Sequence, residues 1–314
     1  MSGNLYFEPK EHRYTDDSNV VYTSATTLIG KYEDKFSDKE VEIAKICAKI
    51  GKNPNHPKFL KYKGKSYKKI LSEWKNEGDV ARDKGNKTHD FLETAVNYSN
   101  GYGLFKKRIT GGRIYTILDI LTNPKYGQVN LNLFKKHKID ILYPRIYKLI
   151  EIFVNKGWKI YAEIGVHSPT FGVSGLIDIL AVKGMEFYVI DWKTNKHELK
   201  YDAGYWDRDH NKRILGFIKT NEFLKYPLDS IPASTGYKYT LQLSLYDFLV
   251  EQYGLKWMGN YLCHIRHHEY VSTDKEVKKD SSLLGKTVVD LHQIKYMKEH
   301  VLAMVNDHMV LRQN

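Results

Sequence analysis

The 314-residue chain predicts a mixed α/β fold, with a central mixed sheet flanked by helices and a helical subdomain on its N-terminal side. Three observations predict it. A segment with helical apolar spacing, PRIYKLIEIFVNKG, precedes three β-like runs, WKIYAEIGVHS, FGVSGLIDILAV and EFYVIDWKT. A further helix, YTLQLSLYDFLVEQYG, and a further strand, KWMGNYLCHIRHHEY, follow them. Upstream, residues 38–98 are mostly helix-forming. Strands interleaved with helices belong to a sheet covered on its faces.

Taken in order, LYFEPKEHRYTDDSNVVYTSATTLIGKY reads as a hairpin around an Asp-Asp-Ser-Asn turn that leads into a helix, with Ser24 or Thr26 as its cap. The helix-forming stretch is interrupted at GKNPNHPKF, where Pro54 and Pro57 break the pattern. Residues 99–143 carry no clear period. In the helix that follows, Ile146, Leu149, Ile150 and Phe153 recur at helical spacing and Gly157 ends the run. Residues 201–236 read as a long irregular insertion, and DLHQIKYMKEHVLAMVNDHMVL, from about 287 to 310, as a closing helix. The expected division is a hairpin and helical subdomain over 1–143 and the sheet-bearing core over 144–314.

Composition narrows the class of function. No apolar stretch reaches the length of a bilayer, and the N-terminus lacks both the basic start and the apolar run of an export signal, so the chain reads as a soluble intracellular protein with no membrane partner. Cys47 and Cys263 are the only cysteines, which excludes a disulfide framework, a paired-cysteine zinc site and a four-cysteine iron–sulfur cluster. A formal charge of +12 favours a polyanionic partner, although an AT-rich genome of the kind many viruses and phages carry also enriches lysine.

The chemistry is concentrated around Gly184. If Gly184 and Met185 form a two-residue loop, with glycine first as a type II′ turn prefers, Lys183 faces Glu186 and Asp178 falls opposite Asp191. Two ionised carboxylates facing each other repel unless a cation lies between them. Lys193, two residues beyond Asp191, projects to the same face. The neighbours, Ile177, Ile179, Ala181, Val189 and Ile190, are those of a strand pair buried on both faces, where charge requires pairing or metal. A buried Asp–Lys ion pair without chemistry is the alternative. Oxygen-only ligation suits Mg²⁺ or Mn²⁺, which also binds substrate phosphate, and water on such an ion can attack phosphorus and cleave a phosphodiester.

Glu163, then Gly175 to Asp178, then Asp191, Trp192 and Lys193, resemble in order and spacing the acidic signature of the PD-(D/E)XK nucleases, the restriction-endonuclease-like fold. Gln242 and Tyr246 are similar to the Gln-x-x-x-Tyr motif of its RecB-like branch, and Gly85, His89 and Glu93 resemble that branch's upstream histidine helix. The run from Ile190 to Thr194 is similar to mitochondrial genome maintenance exonucleases and phage relatives. The resemblance implies that Asp178 and Asp191 ligate metal, the Trp192 carbonyl completes the site, His89 approaches the same ion, and Lys193 assists the attacking water. It implies a catalytic place for Gln242, and for Glu163 that of a ligand, a group behind the ligands or half of a structural ion pair. The implied activity is a DNA exonuclease acting on single strands or ends in recombination, repair, replication or degradation. A sequence- or structure-specific endonuclease, or a silent nucleic-acid-binding protein, fits the same scaffold.

A strand path is expected at KFLKYKGKSYKK, where Lys61, Tyr62, Lys63, Lys65, Tyr67, Lys68 and Lys69 can neutralise phosphates and stack bases, with Tyr246 facing the bound strand. Solvated lysine-rich loops are the plainer reading. LFKKRITGGRIY forms a second basic cluster. His264, His267 and His268 read as a polar edge or phosphate contact, and WDRDHNKR, with His210, as a charged loop over the site.

Overall fold

The structure is a computed structural model, and residues 4–34, 36–101, 111–122, 126–195, 197–211, 213–267 and 287–313 are described. Apolar alternation at the N-terminus forms three antiparallel strands, β1 (Leu5–Glu8), β2 (Arg13–Asp16) and β3 (Val21–Ser24), rather than one hairpin. Leu5, Phe7, Tyr14 and Tyr22 bury together. The Asp16 carboxylate closes the polar turn by accepting from the Ser18 and Val20 amides at 2.9 and 3.0 Å. Ser24 then caps α1 (Ala25–Gly30), its hydroxyl accepting from the Thr27 amide at 3.2 Å.

The helical stretch comprises α2 (Phe36–Ile50), α3 (Phe59–Tyr62) and α4 (Tyr67–Ser99), interrupted where the prolines stand. Ala44, Cys47 and Ile70 give α2 and α4 a small core of their own. At about 1.5 Å per residue, α4 is long enough (~50 Å) to join that core to the main one, and its C-terminal part buries Leu92, Ala95 and Val96 there. The next described elements are β4 (Gly112–Ile114), α5 (Ile117–Thr122), α6 (Leu131–Lys136), α7 (Ile139–Leu142) and α8 (Pro144–Asn155). The basic cluster LFKKRITGGRIY falls mostly outside the described residues.

The core strands are β5 (Lys159–Ser168), β6 (Val173–Lys183) and β7 (Glu186–Lys193). Beyond them lie β8 (Gly204–Arg208), β9 (Ile214–Lys219), α9 (Thr235–Glu251), β10 (Lys256–His267), β11 (Thr287–Ile294) and α10 (Lys298–Gln313). Two expectations are corrected. The insertion at 201–236 contains a two-stranded ribbon, β8–β9, because Tyr205, Trp206, Phe217 and Ile218 pair across a turn. The closing helix begins at Lys298, since Val288 and Val289 in the preceding residues join β10 as an edge strand.

Nine strands form one mixed sheet among the described residues, in the order β11-β10-β7-β6-β3-β2-β1-β4, with β5 on the other edge of β6. Strands from both sides of the expected 143/144 boundary therefore share one sheet. On one face α9 and α10 pack Leu241, Leu245, Phe248, Val301 and Met304 against Ile177, Leu180 and Val189. On the other, α8 and the end of α4 pack Ile146, Ile150, Phe153 and Val96 against Ile179, Ala181, Ile190 and Trp192. Among the described residues, no helix is long and apolar enough to cross a membrane.

Candidate active site

The site grows from a fork in the sheet. Gly184 has φ 59° and Met185 is not left-handed, as a type II′ turn requires, and Lys183 pairs with Glu186. The β6–β7 ladder runs from there to Ile179 opposite Ile190, so Asp178 and Asp191 stand one step beyond its last rung. On the same edge of β6, β3 pairs only with Val173 and Ser174. Gly175 to Asp178 lie between the two neighbouring strands. The carboxylate of Asp178 takes the place of a ladder acceptor there, accepting from the Trp192 amide at 2.9 Å.

A second irregularity marks the same level. Glu163 has φ 56°, and the register of its neighbours, Ala162 with Ile179 and Ile164 with Ile177, sets it across from Asp178. The alternation reverses at this residue: Tyr161 and Ile164 face the α9 side although they are three apart. A left-handed conformation at a non-glycine residue costs energy, and such strain is a feature of functional sites. Glu163, Asp178 and Asp191 are all at most 6% exposed.

From the opposite face, α4 delivers His89 and Glu93, one turn apart. His89 Nδ1 is 3.3 Å from Asp178 Oδ2 and 3.6 Å from Glu93 Oε1. One ligand atom from each of His89, Glu93 and Asp178 lies within 4.8 Å of the others, a donor set of two carboxylates and one imidazole that suits a divalent cation. Gly85 allows α4 this close approach, since a Cβ there would stand 3.0 Å from Thr194 Oγ1.

Asp191 pairs instead with Lys193, whose Nζ lies 2.6 Å from Oδ2. Burial pushes the Asp191 carboxyl up to about 6 against the pull of Lys193. For Lys193, burial works against the charge, but Asp191 and Asp178 outweigh it and hold the ammonium above its usual range. The Lys193 ammonium sits 5.0 Å from the ring centroid of Tyr239 on α9. Tyr239 donates to Asn195 Oδ1 at 2.7 Å, and His264 Nε2 lies 3.2 Å from the Asn195 carbonyl. A chain of contacts thus runs from His264 on β10 through Asn195 and Tyr239 to Lys193.

Gln242 and Tyr246 share the buried face of α9, Gln242 Nε2 donating to the Tyr246 hydroxyl at 2.8 Å. Tyr246 is 4% exposed and its ring lies over Gly175, where a Cβ would stand 2.3 Å from Cε1. It is therefore sealed beneath the carboxylates rather than open to a bound strand, because α9 packs directly on β6. Trp192 brings its amide to Asp178 and buries its indole on the α8 side.

The expected strand path divides. Tyr62 and Tyr67 pack onto the α2–α4 core, Lys65 pairs with Glu73 at 2.7 Å, and Lys61 donates to the Arg208 carbonyl at 3.5 Å. Lys63, Lys68 and Lys69 are exposed. His264 is fully buried, contrary to the polar edge expected, because β11 covers β10 and makes it an interior strand. The side chain of His267 and all of His268 lie outside the described residues. His210 sits in the turn of the β8–β9 ribbon.

Sequence reasoning missed Glu93 as a donor, although its position four residues after His89 on one helix was a usable signal. Tyr239 and Asn195 carried none, and His264 was read as a polar edge or phosphate contact, because their contacts join separate elements.

No family model and no curated protein matches the chain. Among solved structures, one from Eubacterium rectale named "Putative exonuclease" overlaps 62% of this chain and 59% of its own, at 15% identity and a TM-score of 0.29. The chain thus spans about six-tenths of that protein's length. An overlap of that size transfers no function, and the chemistry has to be read from the site itself.

Proposed function

We propose that the protein is a Mg²⁺- or Mn²⁺-dependent nuclease that hydrolyses phosphodiester bonds in DNA, as an exonuclease acting on single strands or free ends. The observation that carries this reading is the convergence of His89, Glu93 and Asp178 within 4.8 Å beside the Asp191–Lys193 pair. Donors bound to one Mg²⁺ at about 2.1 Å lie at most ~4.2 Å apart, so small side-chain movements suffice for these residues to hold the ion. Asp178, Asp191, His89, Glu93 and the Trp192 carbonyl are its proposed ligands. When bound, the ion supplies Lewis acidity toward a phosphoryl oxygen and water.

The protein's own groups supply the rest. Lys193, kept charged by Asp191 and Asp178, orients the attacking water and offsets the negative charge that grows on the phosphoryl oxygens. Asp191 and the Tyr239 ring fix where that ammonium stands. Gln242, through Tyr246, braces the floor under β6, and Glu163 lies behind Asp178 as a supporting carboxylate. The formal charge of +12 and the exposed Lys63, Lys68 and Lys69 draw a polyanion toward the helical subdomain. A strand threaded past α4 would need a free end.

The test is cleavage of end-labelled linear and circular DNA, single- and double-stranded, by wild type and Lys193→Ala with Mg²⁺, Mn²⁺ or EDTA. Metal-dependent loss of label from linear DNA, with circles resistant and the variant inactive, is the expected result. Absence of cleavage by wild type would overturn the nuclease reading, and full activity in Lys193→Ala would overturn the proposed centre. Efficient cutting of circles would overturn the requirement for an end.

A further inference from the structure

The β8–β9 ribbon takes no part in the chemistry above, yet it builds a wall beside it. A cavity of ≈ 190 Å³ lies between the ribbon and the segment following Lys193, bounded by Asn195, His197, Lys200, Trp206, Phe217 and Thr235. Aromatic surface dominates its ribbon side. Trp206 and Phe217 meet edge to face at 5.3 Å, and the His197 ring lies 5.3 Å from Trp206 at an interplanar angle of 37°.

The lysine and the carboxylates that line it are already paired. Lys200 pairs with Glu198 at 3.1 Å, and Lys219, on the strand opposite Gly204, pairs with Asp202 at 2.7 Å. A recess whose cations are neutralised and whose wall is aromatic suits the flat face of a base better than a phosphate. The ribbon is also fastened. Lys58 pairs with Asp207 at 2.7 Å and Arg208 contacts His197, so the wall is tied to the helical subdomain and to the Lys193 segment together.

Position completes the case. Asn195 lines the cavity and follows Lys193 by two residues, at most about 7 Å of extended chain. We propose that this recess is a nucleobase subsite, which holds the base of a nucleotide close to the bond being cut. The inference rests on the nucleic-acid reading above and deepens it. It makes recognition at this point depend on the presence of a base, which stacks on Trp206 in place of the Lys200 ammonium that stands 5.2 Å from the ring centroid.

The experiment is an abasic scan. Single-stranded oligodeoxynucleotides carrying one abasic residue at successive positions from the end are bound to wild type, Trp206→Ala and Trp206→Phe in EDTA, and cleaved in Mg²⁺ or Mn²⁺. In wild type, one position is expected to weaken binding by about 5- to 150-fold, the range for one stacked base. That penalty should vanish in Trp206→Ala and persist in Trp206→Phe, which controls for folding because it keeps an aromatic face. A flat scan in wild type, no oligonucleotide binding at all, or an undiminished penalty in Trp206→Ala would each overturn the subsite. A Trp206-dependent penalty without metal-dependent cleavage would support the subsite and overturn the nuclease reading alone.

Discussion

The Lys193 ammonium stands 5.0 Å from the centre of the Tyr239 ring and pairs with Asp191 at 2.6 Å, so this cation at the fork is held by both a carboxylate and an aromatic face. Ring and carboxylate come from different elements, α9 and β7. Their agreement fixes the ammonium in space without adding a competing charge.

If the ring positions Lys193, Tyr239→Phe should keep kcat within a few-fold of wild type. Tyr239→Leu should lower it about 2- to 30-fold, the span of a cation–π contact of ~0.5–2 kcal/mol. KM should change little in either. Steady-state cleavage of linear DNA, with melting temperatures as a control, checks this. Equal loss in both variants would assign the effect to the hydroxyl and Asn195.

Metal affinity offers a readout independent of turnover. His89→Ala and Glu93→Gln should each weaken Mn²⁺ binding by roughly tenfold or more, a loss seen even for groups that only support ligands. Calorimetric or paramagnetic titration of Mn²⁺ measures it. Unchanged affinity in Glu93→Gln would remove Glu93 from the ligand set.

Gly175 tests the floor of the site. A methyl group there would stand 2.3 Å from the Tyr246 ring, and overpacking of this kind costs about 1–3 kcal/mol. Gly175→Ala should lower the urea midpoint accordingly, and Tyr246→Leu in the same chain should restore part of it. A neutral outcome for Gly175→Ala would show that α9 can move off β6.

Stability should also depend on pH through His308, where α10 meets Lys31. Burial, with Lys31 and Arg312 nearby, pushes this imidazole down to about 4, against backbone contact with Gly172 and the charge of Asp307. Between 6.5 and about 4 the unfolded chain binds a proton there that the folded chain does not. Stability therefore rises with pH through that window and is lost as pH falls through it. Urea midpoints measured from pH 7.5 to 4.5 should fall less steeply for His308→Gln than for wild type.

By itself, the sequence determined what local period and pairing arithmetic carry. The helix around Ile146 to Phe153, the strands on either side of Gly184, and the placing of Asp178 and Asp191 on neighbouring strands follow from alternation and a two-residue turn, which act over a few residues. The ribbon at 204–219 and the edge strand at 287–294 were not legible, because a strand with weak alternation is decided by the neighbour it finds. The same holds for the interior of the site. His264 is buried because a strand from later in the chain covers it, and Tyr246 is closed off because α9 lies directly on Gly175. Only the tertiary structure brings α4 across the fork to set His89 and Glu93 beside Asp178, or lays Tyr239 beneath Lys193. Those contacts join residues 46 to 89 positions apart, and packing of whole elements decides them.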